Sequence, residues 1–95
     1  MAIGIRLKFP GGTQEQYEAL HSHMNVDGDP PDGLIFHSAG PIDAGWGVID
    51  VWESPEQFDS FLQSRLMPAV GELGDRAFQG QPDRKQFPVH NYTKP

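Results

Sequence analysis

The stretch from Gly45 to Leu73 constrains the fold more than any other part of the sequence, because it indicates a buried strand followed at once by an amphipathic helix. Its first part alternates with the period of two that is typical of a strand, and both faces are largely apolar: one carries Trp46, Val48, Asp50 and Trp52, the other Gly47, Ile49 and Val51. The segment Ser54–Gln57 then supplies an N-cap hydroxyl, a proline for the first helical position and a capping-box glutamine. We therefore expect a helix that begins at about Pro55.

Composition narrows the class of protein. The chain has 95 residues, 7 of them basic and 13 acidic, and its formal net charge of -6 argues against a nucleic-acid partner or an anionic membrane. Cysteine is absent, which excludes disulfides and thiolate metal sites. The N-terminal MAIGIRLKF alternates like a strand and lacks the apolar run of a signal peptide, and no later stretch reaches membrane-spanning length. We expect one domain over residues 1–95 in a soluble, cytoplasmic protein.

The sequence before the central stretch predicts three further elements. Apolar residues alternate over positions 3–9 and indicate a first strand. A Thr13–Gln16 capping box and apolar residues at helical spacing indicate a first helix at about 14–25. A second strand is expected at Leu34–Ala39, and residues 40–45 are expected to form a loop of hairpin length.

The sequence after the central strand predicts a broken helix and a last strand. Pro68 removes a backbone hydrogen bond, so we expect a kink or break near Ser64–Met67, followed by one or two turns that end at Gly74. Residues 74–86 are polar and punctuated by glycine and proline, which indicates a long connection. Alternation over Phe87–Thr93 predicts the last strand.

The order of these elements predicts a ferredoxin-like α+β fold. Strand, helix, strand, strand, helix, strand gives βαββαβ, with a four-stranded antiparallel sheet in the order 4-1-3-2 and two helices on one face. The other face needs a cover, and we expect it to carry Trp46, Val48 and Trp52. Because exposed apolar surface of that kind marks an interaction site, we expect a homodimer that pairs through the open face.

Three short motifs carry a resemblance to a known family: VWESPEQF across the third strand and second helix, LMPAV further along that helix, and FPVHN in the last strand. They are similar to motifs of small dimeric α+β barrel proteins related to the antibiotic-biosynthesis monooxygenases, including a poorly characterised branch with a histidine on the second strand. The resemblance extends over essentially the whole chain. It implies a homodimer with a cavity between the sheet and the helices or between the sheet and the partner.

The resemblance implies a range of activities. The superfamily includes cofactor-independent oxygenases acting on polycyclic phenols, haem-degrading enzymes, polyketide cyclases, lyases and stress-responsive proteins, so the fold says little about the reaction. The strand-end tryptophan of the family corresponds to Trp52, which implies an aromatic wall for a planar substrate. Phe61 stands where the family usually has a histidine on the second helix, which weakens the oxygenase and haem interpretations that depend on that histidine.

Asp50 is the sharpest candidate for chemistry. It lies between Val48 and Trp52 on a face suited to burial, and an unpaired buried carboxylate is costly. We expect a partner for it, either Arg6 on the first strand or a histidine on a neighbouring strand. A carboxylate in a satisfied pair that fixes the register of a dimer explains the same pattern, and is the preferred interpretation.

His37 and His90 lie in the middle of predicted strands, and a neutral imidazole suits proton transfer from an acidic phenol or carbon acid. If either shares a cavity with Asp50, the carboxylate would orient it as a general base. Each is also explained as a core or interface histidine bonded to backbone, and a one-residue bulge would reverse the direction of either side chain. The expected substrate contacts are Arg6, Trp52, Asn91 and Tyr92.

Two functions stay open at this point. One is a cofactor-independent, monooxygenase-like or cyclase-like enzyme for a small hydrophobic, preferably aromatic, substrate. The other is a non-catalytic dimeric protein that binds a ligand or responds to stress. We expect no metal, since His21 and His23 do not share a helix face and the acidic loop 27–32 misses the calcium-loop spacing. We expect no other cofactor either; haem binding is a third interpretation that needs an accessible histidine.

Overall fold

A computed structural model of the chain describes residues 1–93. Its elements, in chain order, are strand β1 (Ile3–Pro10), helix α1 (Gln14–Met24), strands β2 (Leu34–Ile42) and β3 (Gly45–Trp52), helix α2 (Pro55–Phe61), a π-helical turn (Leu62–Leu66), helix α3 (Met67–Leu73), a 3₁₀ turn (Gly74–Arg76) and strand β4 (Asp83–Pro88). No helix in this part of the chain is long and apolar enough to cross a membrane.

The strands form one antiparallel sheet in the order β2-β3-β1-β4, which is the predicted order counted from the other edge. The two central strands pair along their whole length, from Ile3 opposite Trp52 to Pro10 opposite Gly45. The helices lie on one face of this sheet, so the predicted ferredoxin-like α+β fold is confirmed.

Both helix starts follow the predicted capping chemistry. The Thr13 hydroxyl accepts a hydrogen bond from the Gln16 N–H, and the Gln16 side chain accepts one from the Thr13 N–H, so the capping box is complete. Ser54 caps α2 by accepting from the Gln57 N–H at 3.2 Å, with Pro55 next in the chain. These polar groups satisfy helix N–H donors that have no partner inside the helix.

The predicted break in the second helical segment is confirmed as a π-helical turn. The Met67 N–H donates to the Leu62 carbonyl, five residues back, immediately before Pro68. Because Pro68 has no N–H and its ring crowds the preceding turn, a widened turn accommodates it better than a regular α-helix does. Helix α3 then runs to Leu73, and Gly74 ends it with a φ of 59°.

The helices cover the face of β3 that we expected to be open. Trp46, Val48 and Trp52 are all buried, and they belong to the two clusters of the core. One cluster consists of Ile3, Ile5, Leu7, Val48, Trp52 and Phe58; the other consists of Leu20, Trp46, Ala69, Leu73, Ala77 and Phe78. The prediction for this face was therefore wrong. Because β3 pairs with β1, its Trp46, Val48 and Trp52 lie on the same face of the sheet as the apolar residues of β1, and that face points towards the helices.

The open face of the sheet carries different apolar residues. Phe36, Ile49 and Phe87 are exposed by 54%, 57% and 60%. Phe87 lies opposite Gly4, and its ring occupies the space above that glycine: a Cβ on Gly4 would come within 2.5 Å of the ring. Phe36 and Val51 continue the same cross-strand row on the other side of Gly4. This surface, the open face, has no cover within residues 1–93.

Two strand boundaries differ from the predictions. Strand β2 extends to Ile42, so that only Asp43 and Ala44 form the hairpin turn, with Ala44 at a φ of 60°. Strand β4 is Asp83–Pro88 rather than Phe87–Thr93, because pairing with β1 recruits the polar residues before Phe87 as an edge strand. The connection before β4 was predicted as a polar loop, but two of its residues, Ala77 and Phe78, are buried in the core.

Candidate functional site

A bulge in β2 sets the direction of His37. Leu34 lies opposite Trp52, but the register shifts by one residue before Phe36, which lies opposite Val51. His37 consequently pairs with Asp50 on the helix-covered face. Without the shift the same histidine would lie opposite Ile49 on the open face, since successive side chains of a strand alternate between the two faces.

Asp50 is the buried centre of the site. It is 5% exposed and accepts two hydrogen bonds, one oxygen at 2.6 Å from His37 Nδ1 and the other at 3.1 Å from the Trp52 indole N–H. A buried carboxylate needs such donors, because water no longer solvates its charge. The bond to Asp50 fixes the Nδ1–H tautomer of His37 and leaves Nε2 pointing away from the carboxylate.

Helix α1 adds two residues that the sequence did not single out for chemistry. The Tyr17 hydroxyl lies 2.6 Å from His37 Nε2 and 3.2 Å from His21 Nδ1, one helical turn further along. His21 Nε2 in turn lies 3.2 Å from a carboxylate oxygen of Asp27. The three rings are nearly parallel, with interplanar angles of 12° to 27°. Their i,i+4 spacing, which places Tyr17 and His21 on one face of a helix, was the available signal in the sequence.

The environment keeps the Tyr17 phenol neutral. Burial raises its pKa above the ordinary value of 10.0, and the negative charges of Asp27 and Asp50 raise that pKa further. Tyr17 is therefore a hydroxyl near neutral pH, able to donate one hydrogen bond and accept another. When His37 is neutral and its Nδ1 donates to Asp50, its Nε2 accepts a hydrogen bond from the Tyr17 O–H.

These groups lie on the wall of an apolar cavity between the sheet and the helices. The cavity has a volume of about 60 Å³, and its lining includes Tyr17, His21, His37, Asp50, Trp52 and Phe61. A second, more open cavity of about 350 Å³ lies beside it and leads towards Met67 and Arg84. The two cavities share the wall residues Leu7, Phe9, Leu20, Phe58, Leu66 and Phe78. The larger space is within the range typical of small-molecule pockets, about 300 Å³ or more.

The structure brings together only some of the predicted site residues. Asp50, His37 and Trp52 meet, and the partner of Asp50 is the histidine rather than Arg6. Arg6 points to the open face and pairs with Asp83 at 2.9 Å. His90, Asn91 and Tyr92 follow the end of β4 on an exposed segment and do not line the cavity. They were placed in the site because the last strand was predicted too late in the sequence.

Two aromatic residues have packing roles in addition to their place near the site. The Trp52 ring is almost fully buried and contacts Phe58 and Phe61 at centroid distances of 5.4 and 5.3 Å. The Trp46 ring packs against the Tyr17 ring at a centroid distance of 5.5 Å and so helps to hold Tyr17 in position. Phe61 is thus an apolar part of the wall of the cavity that Asp50 also lines.

The fold and this site define a ferredoxin-like α+β protein with a polar network at the wall of an apolar cavity. No family model and no curated protein matches the chain. Solved structures do match it along nearly its whole length, and they include antibiotic-biosynthesis-monooxygenase-like proteins.

One such structure is a candidate antibiotic biosynthesis monooxygenase from Chloroflexus aurantiacus, 17% identical, with a TM-score of 0.66 over 98% of both chains. SnoaB, a cofactor-independent oxygenase from Streptomyces nogalater, is 17% identical, with a TM-score of 0.64 over 96% of this chain and 94% of its own. MhuD, a haem degrader from Mycobacterium tuberculosis, is 18% identical, with a TM-score of 0.58 over 99% of this chain and 100% of its own. At these identities the likeness shows the fold alone.

Proposed function

We propose that this protein is a cofactor-independent enzyme, monooxygenase-like or cyclase-like, that removes a proton from a small hydrophobic substrate with an acidic phenol or C–H group. The observation that carries the proposal is the His37–Asp50 pair at the wall of an apolar cavity. An imidazole whose Nδ1–H is held by a buried carboxylate is oriented as a general base, and its Nε2 can take a proton once the Tyr17 O–H has turned from it towards His21. SnoaB, a cofactor-independent oxygenase of similar fold, supports the monooxygenase-like form of this proposal.

The larger cavity is the proposed place for the body of the substrate. It is lined mainly by apolar side chains, including Leu62, Met67 and Val70, and shares its inner wall with the smaller cavity. An aromatic substrate would fill this space and direct its acidic group past Phe58 and Leu66 towards His37. Arg84 also lines this cavity, although it pairs with Asp59 at 3.5 Å, and its charge would favour a substrate that carries or develops negative charge.

We also propose that two copies of the chain pair through the open face. The exposed phenylalanines and Ile49 there form the kind of apolar surface that a second sheet covers. The partner would lie on the side of the sheet opposite Asp50. The alternative role of Asp50, fixing the register of a dimer, therefore has no support from its position.

The principal alternative is a non-catalytic protein that binds a small ligand. It is favoured by the pairing within the network, since Asp50, His37 and Tyr17 already satisfy one another, and by the small size of the cavity beside them. Under this alternative the polar groups only stabilise the fold and shape the pocket. The two functions differ in what happens when His37 is removed.

Haem is a poor fit to the site as it stands. The cavity beside His37, with a volume of about 60 Å³, is far smaller than a porphyrin. His90, the other histidine considered for this role, lies on the exposed segment after β4. We therefore derive no step that involves haem.

The test is a turnover screen with polycyclic phenols and related carbon acids, followed by absorbance and oxygen consumption. For a substrate that turns over, His37→Ala should lower kcat/KM by about 10²- to 10⁴-fold, the usual contribution of a positioned base. His23→Ala is the matched control, because His23 lies on the outer surface of α1 beside Glu72. Equal turnover by wild type and His37→Ala would contradict the proposal, and ligand binding without turnover would favour the alternative.

A further inference from the structure

The hydrogen-bonded groups form one unbranched path from the buried carboxylate to solvent. In order they are Asp50, His37, Tyr17, His21 and Asp27, joined by contacts of 2.6, 2.6, 3.2 and 3.2 Å. Its two ends differ in exposure: the Asp50 side chain is 7% exposed and the Asp27 side chain is 91% exposed. Within residues 1–93, no other titratable group makes a hydrogen bond or ion pair to the three rings.

Counting protons along the path gives a further constraint. Each of the four contacts needs one proton, because two lone pairs do not form a hydrogen bond. Two neutral histidines and one phenol supply three, and two ionised carboxylates supply none. All four contacts are therefore hydrogen bonds at the same time only when the path holds one additional proton, as it does once the base has accepted one.

The additional proton has no single required position. If it resides on His21, then the Tyr17 O–H points to His37; if it resides on His37, then the Tyr17 O–H points to His21. All four contacts persist in both arrangements, and moving between them requires only that the Tyr17 oxygen accept one proton as it releases another. Such a path of alternating donors and acceptors is the geometry that proton transfer needs.

We propose that Tyr17 and His21 form a proton relay that connects the base His37 with solvent beside Asp27. The relay rests on the proposed function of His37. His37 Nε2 takes a proton from the substrate while the Tyr17 O–H points to the unprotonated Nδ1 of a neutral His21. The Nε2–H then passes to the Tyr17 oxygen, the Tyr17 proton passes to His21 Nδ1, and the His21 Nε2 proton leaves to water beside Asp27, so that His21 ends as its Nδ1–H tautomer. One proton moves outward, no electrons move, and His37 is a base again.

The outermost contact is the place where the proton leaves. The His21–Asp27 pair is exposed at its carboxylate end, so water replaces that contact at little cost, whereas the Asp50 carboxylate at the other end of the path is buried. Tyr17 keeps its hydroxyl proton at neutral pH, as a two-sided carrier must. Tyr17 and His21 are thus proton-transfer residues that serve His37 rather than groups that bind the substrate.

The relay is tested by NMR on the protein without any substrate. The probe is the proton between Tyr17 O and His37 Nε2, whose downfield signal is assigned by its loss in Tyr17→Phe. Its exchange with water, measured by saturation transfer, should slow by about tenfold or more in His21→Gln, since a positioned transfer group contributes about 10²- to 10⁴-fold. Glutamine fills similar space and forms hydrogen bonds, but it does not take one proton and release another.

His23→Gln is the control, on the same helix and outside the relay, and should exchange like wild type. Thermal unfolding verifies that each variant is folded. Unchanged or faster exchange in folded His21→Gln overturns the relay, and so does equal slowing in His23→Gln. The readout needs no turnover: slowed exchange in a protein without His37-dependent activity supports the relay and contradicts only the proposed function, whereas His37-dependent activity with unchanged exchange contradicts only the relay.

Discussion

Asp50 illustrates how a single buried residue makes a site possible. An ionised carboxylate in the core is expensive unless donors replace its water, and here His37 and Trp52 supply them from either side. Neither donor is an arginine or lysine, so no permanent positive charge neutralises the carboxylate. The carboxylate instead orients the His37 imidazole, whose Nδ1 lies 2.6 Å from it.

The raised pKa of Tyr17 gives a prediction at the same scale. Removing the nearby charge in Asp27→Asn should lower the Tyr17 pKa towards 10.0, because repulsion from Asp27 is the second cause of the rise after burial. The measurement is an ultraviolet titration of the phenol in a Tyr92→Phe background, which leaves Tyr17 as the remaining tyrosine. Asp32→Asn, on the same loop, is the control. An equal Tyr17 pKa in both variants would mean that Asp27 does not act on the ring.

The raised pKa of Tyr17 also predicts how the free energy of unfolding changes with pH. Because the folded-state pKa lies above the unfolded value, folding favours the protonated phenol. The contribution of Tyr17 to the free energy of unfolding is therefore fully present below about pH 10, the unfolded pKa, and decreases as the pH rises through the folded-state pKa. In urea titrations above pH 10, wild type should lose more stability than Tyr17→Phe; parallel losses would be the contrary result.

At the scale of elements, Arg65 fastens the loop that closes the cavity. This residue of the π-helical turn donates to the Met24 carbonyl at 2.6 Å and to the Asp29 carbonyl at 2.8 Å. Val26 and Pro31, in the loop between α1 and β2, line the cavity beside the relay. The widened turn before Pro68 thus positions a side chain that spans from one helical segment to the end of the other.

Removing this fastening should loosen the loop. Arg65→Met retains most of the side-chain volume but removes both hydrogen bonds, and the free energy of unfolding should fall by about 1–2 kcal/mol, since bonds from charged groups contribute roughly 1.5–3 kcal/mol and exposure reduces that. Amide hydrogen exchange should accelerate in residues 25–33 while the central strands stay protected. Arg76→Met, in the exposed 3₁₀ turn, is the control; identical loop exchange in all three proteins would contradict this role.

The sequence specified some elements far better than others. Helix starts were predictable because Thr13 and Ser54 act within one turn of chain. Strand β4 was not, because Arg84 and Lys85 have no strand alternation of their own and are recruited by pairing with β1. The network was only partly predictable: Asp50 was conspicuous, but its partner depended on a bulge, and the meeting of Tyr17 with His37 depends on how α1 packs over the sheet.

At the scale of the whole molecule, the order of strands was predictable and the orientation of the sheet was not. Period-two alternation identifies two faces of β3 without saying which one the helices cover. The larger residues, Trp46 and Trp52, were assigned to a partner chain, yet the helices of the same chain bury them. Ile49 belongs to the other face of β3, where the side chains are smaller, and it remains exposed at the centre of the sheet.

The proposed dimer is tested by substituting Ile49 at the centre of the open face. Wild type should sediment as a dimer at micromolar concentration, and Ile49→Lys should sediment as a monomer, because a lysine there would be buried without a partner and would add to the charges of Arg6 and Lys85. Gln63→Lys makes the same addition of charge on an exposed part of the helical layer and should remain a dimer. A monomeric wild type would contradict the proposed interface.

The bulge in β2 has a consequence for comparing this chain with distant relatives. An alignment that treats β2 as a regular strand, counted forward from Leu34, places His37 in a column with residues of the open face. Counted backward from the turn at Asp43 and Ala44, the same histidine falls in a column with residues that face the cavity. A gap of one residue beside Ile35 therefore decides whether a relative is judged to possess the base or to lack it.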